Sequence, residues 1–101
     1  MRIHVLNISL IICVCLNTLH GQDLPDRKEV LKKLILANDY FMQKWPDVGK
    51  TLITDRERPS NIWTRGVYYE GLMALYSIFP KDEYYNYATK WSEFHNWGMR
   101  N

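Results

Sequence analysis

"WTRGVYYEGLMALYSIF", residues 63–79, decides how this chain is built. From Val67 onward, apolar side chains (Tyr68, Tyr69, Leu72, Met73, Leu75, Tyr76, Ile78, Phe79) fall on every side of a helix, and Glu70 and Ser77 are the only polar side chains after Arg65. An amphipathic helix buries one stripe, whereas a helix that is apolar all round is buried all round. Two neighbouring helices cannot cover it, so the segment is predicted to be an inner helix from about Ile62 to Phe79. Its first turn is an unusual one. Ser60 or Asn61 is expected as the cap, but Trp63, Arg65 and Gly66 add nothing to helix propensity, and a glycine in such a turn costs about 1 kcal/mol against alanine. Something besides local stability accounts for them.

The segments on either side are amphipathic. Pro80 ends the inner helix, and a third helix is predicted from Lys81 or Asp82 to Asn96. In it Tyr84, Tyr85, Tyr87, Ala88, Trp91 and Phe94 alternate with Asp82, Glu83, Asn86, Lys90, Glu93 and His95. Gly98 in "NWGMRN" is the expected C-terminal stop. A first helix is predicted from "PDRKEV" to just before Pro46, with Asp26 and Glu29 spaced as a capping box. Val30, Leu31, Leu34, Ile35, Phe41, Met42 and Trp45 form its apolar face. The order is half-buried, fully buried, half-buried, which is the pattern of outer, inner and outer helices in two concentric layers: an all-α chain.

Residues 46–61, "PDVGKTLITDRERPSN", are predicted to be a charged loop bounded by prolines. "VGKT" is not a phosphate-binding loop, because Lys44 stands where the first glycine is required and no strand precedes it. Asp55 and Glu57 lie beside Arg56 and Arg58, so they are expected to be solvated and arginine-matched rather than a catalytic pair.

The N-terminus is expected to be removed. Residues 1–21, with Arg2 before the apolar "VLNISLIICVCLNTL", have the form of a secretory signal peptide cleaved after Gly21, which leaves residues 22–101 as the working part of a secreted or periplasmic protein with no membrane attachment. A lipoprotein signal would need a small residue before Cys13 or Cys15, where Ile12 and Val14 stand. These are the chain's two cysteines, so residues 22–101 have no disulfide, thiolate metal site or cysteine nucleophile. No pattern of metal ligands or cofactor-binding motif is present either. Without Arg2 the 13 Lys and Arg fall to 12, against 11 Asp and Glu, and this near-neutral balance argues against nucleic acid as a partner. The four Trp, seven Tyr and three Phe all lie within residues 22–101. A domain of this size buries only about 60% of its unfolded surface, so the aromatic excess suggests surfaces made to meet something else.

Two-layer helical proteins are open solenoids or closed barrels of helical hairpins. "YYNYATKW", residues 84–91, has the Tyr and Ala placement of a tetratricopeptide unit, but no second copy follows. A small secreted helical protein-binding module of that kind is the alternative reading. The string from Trp63 to Asn101 resembles more closely the start of the unsaturated rhamnogalacturonyl hydrolases, glycoside hydrolase families 105 and 88. Trp63, Gly66-Val67, Gly71-Leu72, Leu75-Tyr76, the turn at Pro80 and Tyr84 to Ala88 carry the resemblance, which covers residues 60–101 well and the first helix only in kind.

The resemblance implies the first helices of an (α/α)6 six-hairpin barrel, incomplete in this chain, whose inner helices point their N-terminal ends at a sugar. Substrate-binding residues then follow. Trp63 would stack on the sugar ring and Arg65, expected near the same edge, would meet a uronate carboxylate. By residue type alone, Trp63 is a core residue at a helix start and Arg65 is solvated or acid-paired. Glu70 is expected in a buried ion pair and His95 at the dipole end of an outer helix. The implied reaction removes a 4,5-unsaturated galacturonyl or related uronyl residue from pectin (rhamnogalacturonan) oligosaccharides by hydrating its double bond, with an Asp as general acid. In the family that acidic motif follows the hairpin ending here, so no catalytic residue is assigned within residues 22–101 and the chain is expected to be an N-terminal fragment, inactive alone.

Overall fold

The computed structural model describes residue 21 and residues 23–98. The signal-peptide reading of residues 1–21 falls, but for Gly21, outside the described residues. Three helices and one short ladder make up the rest: α1 (Arg27–Lys44), β1 (Leu52–Ile53), β2 (Glu57–Arg58), α2 (Trp63–Ile78) and α3 (Asp82–Phe94). The protein is all-α in character, with α2 packed against α1 on one side and α3 on the other. The burial of α2 on every side that its apolar residues predict is not observed: Arg65, Tyr69, Leu72 and Leu75 are buried, but Val67, Met73 and Ile78 are exposed, because among the described residues two helices cover only part of its surface.

The core belongs to the α2–α3 hairpin. Tyr69, Leu72 and Leu75 from α2 meet Tyr84, Tyr87, Ala88 and Trp91 from α3, at spacings of three and four that place each set on one helix face. Tyr69 stacks on Trp91 with ring centroids 4.2 Å apart, and Tyr84 is completely buried. The hairpin turns at Phe79 and Pro80, because proline can neither continue a helix nor allow its predecessor a helical backbone. From the other side α1 contributes Leu31, Ile35, Phe41 and Met42, all half-buried. Phe41 stacks on Tyr68 at 3.4 Å, and the Tyr68 hydroxyl donates to Asn38 Oδ1 at 2.6 Å.

Several expected local features take another form. Asp26 does precede α1, but its carboxylate makes no capping bond; its backbone carbonyl accepts from Val30 N–H, while Glu29 faces Lys33 at 3.8 Å in the exposed i, i+4 position. Residues 46–61 are not wholly irregular, since β1 and β2 pair antiparallel with Leu52 opposite Arg58 and Ile53 opposite Glu57. Leu52 is buried, whereas Ile53 beside it is exposed. Arg58 closes the turn on Asp55 at 2.8 Å, as expected, whereas Glu57 accepts from the Thr51 hydroxyl rather than from an arginine. Gly49 of "VGKT" has a packing reason: a Cβ there would lie 2.5 Å from the Phe94 ring. The last helix stops at Phe94, with Asn96 (φ 53°) and Trp97 (φ 59°), rather than Gly98, in the left-handed region. Trp97 N–H bonds back to the Ser92 carbonyl at 2.7 Å, which satisfies the helix end that a glycine was expected to close.

Candidate functional site

The start of α2 is assembled from three directions. Ile62, in extended conformation, occupies the capping position and offers no side-chain cap, so neither Ser60 nor Asn61 caps the helix. Their polar groups are committed elsewhere. Ser60 is buried and its Oγ lies 2.6 Å from His95 Nε2, its carbonyl accepts from Trp91 Nε1–H at 2.9 Å, and the Asn61 amide points at the Gly98 carbonyl at 3.5 Å. The chain before the helix is thus tied to the end of α3, while the backbone N–H groups of Arg65 and Gly66 both bond to the Ile62 carbonyl.

Trp63 and Arg65 project from this turn in opposite directions. Two residues correspond to about 200° of rotation around a helix. Trp63 is 74% exposed, so it is not a core residue at the helix start; Arg65 is 8% exposed. The Arg65 guanidinium is bracketed by aromatic faces, 4.3 Å from the Trp45 ring centroid and 4.7 Å from that of Phe41. Among the described residues no carboxylate lies within ion-pair distance of it. The expected solvated or acid-paired arginine is instead held by cation–π contact, and the two residues do not share an edge. Burial lowers the Arg65 pKa, but an arginine keeps its charge in a protein.

The tyrosines around it form the neutral counterpart of that charge. Burial raises the pKa values of Tyr68, Tyr69 and Tyr87, so all three are un-ionised hydroxyls. Tyr87 donates to the Trp45 carbonyl, joining α3 to the end of α1 beside Arg65. The sequence shows the Tyr-rich pattern, but nothing in it says that Trp45 at the end of one helix and Phe41 one turn earlier would close on Arg65, which lies beyond the ladder in the next helix.

Glu70 and His95 both depart from expectation. Glu70 is exposed, so it is not in a buried ion pair; it lines a groove of about 430 Å³ between α2 and α3 with Gly66, Met73, Tyr85 and Trp97. Its separation from Trp63 by nearly two turns does put the two on similar faces. His95 sits at the end of α3, but its ring turns to Ser60, and burial lowers its pKa, opposing the charged form that a helix dipole would favour.

Two more depressions lie between the helices. An apolar groove of about 370 Å³ between α1 and α2 runs past Leu34, Ala37, Val67 and Gly71. A polar cleft of about 730 Å³ separates the end of α1 from α3, with Asp39, Gln43, Lys81, Glu83, Asn86 and Lys90 on its walls. Sequence reading treated these as solvated helix faces; the i, i+4 pair Asp39 and Gln43 and the run Glu83, Asn86, Lys90 are the spacings that could have marked them as one face each. Asp55 is held down to a pKa of about 2 by hydrogen bonds from Arg58 and Thr54, which suits a structural anion and not a proton donor. Among the described residues no three His, Cys, Asp or Glu side chains gather in a way that could hold a metal ion, and no helix is long and apolar enough to cross a membrane.

Comparison with known proteins gives one match. The family model described as Glycosyl Hydrolase Family 88 matches residues 35–101, which takes in the second half of α1, the β ladder and the whole hairpin. No curated protein and no solved structure matches the chain.

Proposed function

The chain belongs to glycosyl hydrolase family 88, and from that membership we propose that it serves the removal of 4,5-unsaturated uronyl residues from pectin-derived, rhamnogalacturonan oligosaccharides. The observation that carries the reading is the family match over residues 35–101 together with an exposed tryptophan at the first turn of the inner helix. An indole face in that position offers a flat apolar surface to the CH groups of a sugar ring, and its N–H offers a donor to a hydroxyl. In this reading Trp63 is the sugar platform. Arg65, buried between Phe41 and Trp45 on the opposite side of the turn, is not assigned the uronate carboxylate.

The reaction of this proposal is hydration of an enol ether. A carboxylic acid protonates the double bond, water adds, and the resulting hemiketal opens with loss of the linkage, so the acid must be held protonated near neutrality by burial or a second carboxylate. We assign that role to no residue of this chain. The protein acts outside the cytoplasm in this reading, consistent with the apolar N-terminal segment.

A tetratricopeptide-like binding module gains nothing from the geometry, because α1 and α2 are joined through the ladder of residues 45–62 rather than by the short turn that a repeat requires. Calorimetric titration of the chain with an unsaturated galacturonyl–rhamnose disaccharide and with its saturated counterpart tests the proposal. Saturable binding that favours the unsaturated sugar is expected, and equal or absent binding of both would overturn it.

A further inference from the structure

Trp63 is exposed and makes no hydrogen bond or ring contact among the described residues, so its own side chain does not set the direction in which it points. That direction is inherited from the backbone just before it. The usual device for fixing a helix start, a side-chain cap, is missing at Ile62. In its place stands the contact between Ser60 and the end of α3: the buried Ser60 hydroxyl on His95 Nε2, and the Ser60 carbonyl under the Trp91 indole N–H. His95 is itself held edge-on against Trp91, with ring centroids 5.7 Å apart, and against Phe94 at 5.0 Å. The imidazole therefore stands on a fixed aromatic base and grips a serine only three residues ahead of Trp63.

We propose that His95, acting through Ser60, is a positioning residue for Trp63, and that this latch orients the indole toward its sugar. The inference rests on the reading of Trp63 as the sugar contact. On the opposite side of the same turn the Phe41–Arg65–Trp45 bracket holds the helix to α1, so the latch and the bracket fix the turn against rotation from two sides. A hydroxyl that is 3% exposed cannot exchange its partner for water freely, which makes the latch a specific rather than an interchangeable contact.

The experiment uses the full chain and two readouts. The first is the backbone ¹⁵N order parameter of Ile62 and Trp63, expected to be about 0.85 in the unaltered chain and to fall below about 0.6 in His95→Ala and Ser60→Ala. The second is affinity for the unsaturated galacturonyl–rhamnose disaccharide. His95→Ala is expected to weaken it about tenfold, His95→Gln, which can still bond to Ser60, to restore most of it, and His95→Ala to add no further loss when Trp63 is already Ala. Unchanged order parameters with unchanged affinity in His95→Ala would overturn the latch while leaving the sugar reading intact. The same tenfold loss in the Trp63→Ala background would show that His95 supports the fold generally, and would also overturn it. If the unaltered chain does not bind the disaccharide, or binds it equally well as Trp63→Ala, the sugar role of Trp63 falls, and the latch loses its purpose. Should His95→Ala fail to fold, Ser60→Ala and His95→Gln decide the matter by the same two readouts.

Discussion

All seven residues of the buried core cluster lie in α2 and α3, whereas α1, the longest helix among the described residues, buries only Asn38. Both regions are rich in apolar and aromatic side chains, but they are joined to the rest by different means. The hairpin is closed by interdigitated rings. α1 is attached mainly through its C-terminal half, by the Phe41–Tyr68 stack, the Asn38–Tyr68 hydrogen bond, the Arg65 bracket and the bond from Tyr87 to Trp45, while Leu31 and Ile35 add half-buried apolar contacts from the other half. Its other half leaves Val30 and Leu34 at 38% and 45% exposure. The difference teaches that a helix can have a clear apolar face and still owe its position to a few contacts at one end. It also places the strongest packing where the resemblance to the hydrolases is strongest, in residues 60–98.

Breaking the hairpin gives the largest expected effect. Trp91→Ala removes the stack on Tyr69 and the bond to Ser60 and is expected to cost about 3–5 kcal/mol, read as a shift in the urea midpoint. Phe41→Ala acts on a half-buried ring and is expected to cost about 2 kcal/mol. Its signature differs as well, since amide exchange rises across α1 and stays slow in α3. Tyr84→Phe has the opposite sign. The Tyr84 hydroxyl is buried with no hydrogen-bond partner among the described residues, so removing it is expected to stabilise the hairpin by about 1 kcal/mol, measured as a higher melting temperature.

A pH series sharpens the comparison at the junction of the two regions. Burial lowers the folded-state pKa of His95, so protons bind the unfolded chain more readily, and its contribution to stability is present above its ordinary value of 6.5 and lost as pH falls through the folded pKa. Melting temperature is expected to decline on acidification below about pH 6.5, and His95→Gln to flatten that decline. At the small end, Leu36→Ala on the exposed face of α1 is expected to change stability by no more than about 0.5 kcal/mol.

Much of the architecture was legible because it depends on periodicity. The 3.6-residue spacing marked the three described helices and Pro80 marked the turn, whereas the burial on every side expected from the apolar residues 67–79 is met only where α1 and α3 lie against α2. Details that depend on a distant partner were not legible. A two-residue ladder such as Leu52–Ile53 with Glu57–Arg58 is too short to show alternation. Ser60 looks like a cap until His95 takes its hydroxyl, and Asn96 and Trp97 assume the backbone role that Gly98 appeared suited to. Arg65 is the clearest case. A charge in a first turn suggests solvent or an acid, and only the tertiary closeness of Phe41 and Trp45 makes burial favourable. At the candidate site, the sequence shows Trp63 and Arg65 as residues that helix propensity does not account for, and the rotation of about 200° between them puts them on opposite sides of the helix rather than on the shared edge expected.

The most direct test maps where the sugar lands. In a ¹H–¹⁵N spectrum of the full chain titrated with the unsaturated galacturonyl–rhamnose disaccharide, the largest shifts are predicted at the Trp63 indole and the amides of Thr64 to Gly66, with the open half of α1 unmoved. Shifts centred instead on the Leu34–Gly71 groove or on the Asp39–Lys90 cleft would contradict the assignment of the first turn of α2 as the sugar-contacting site.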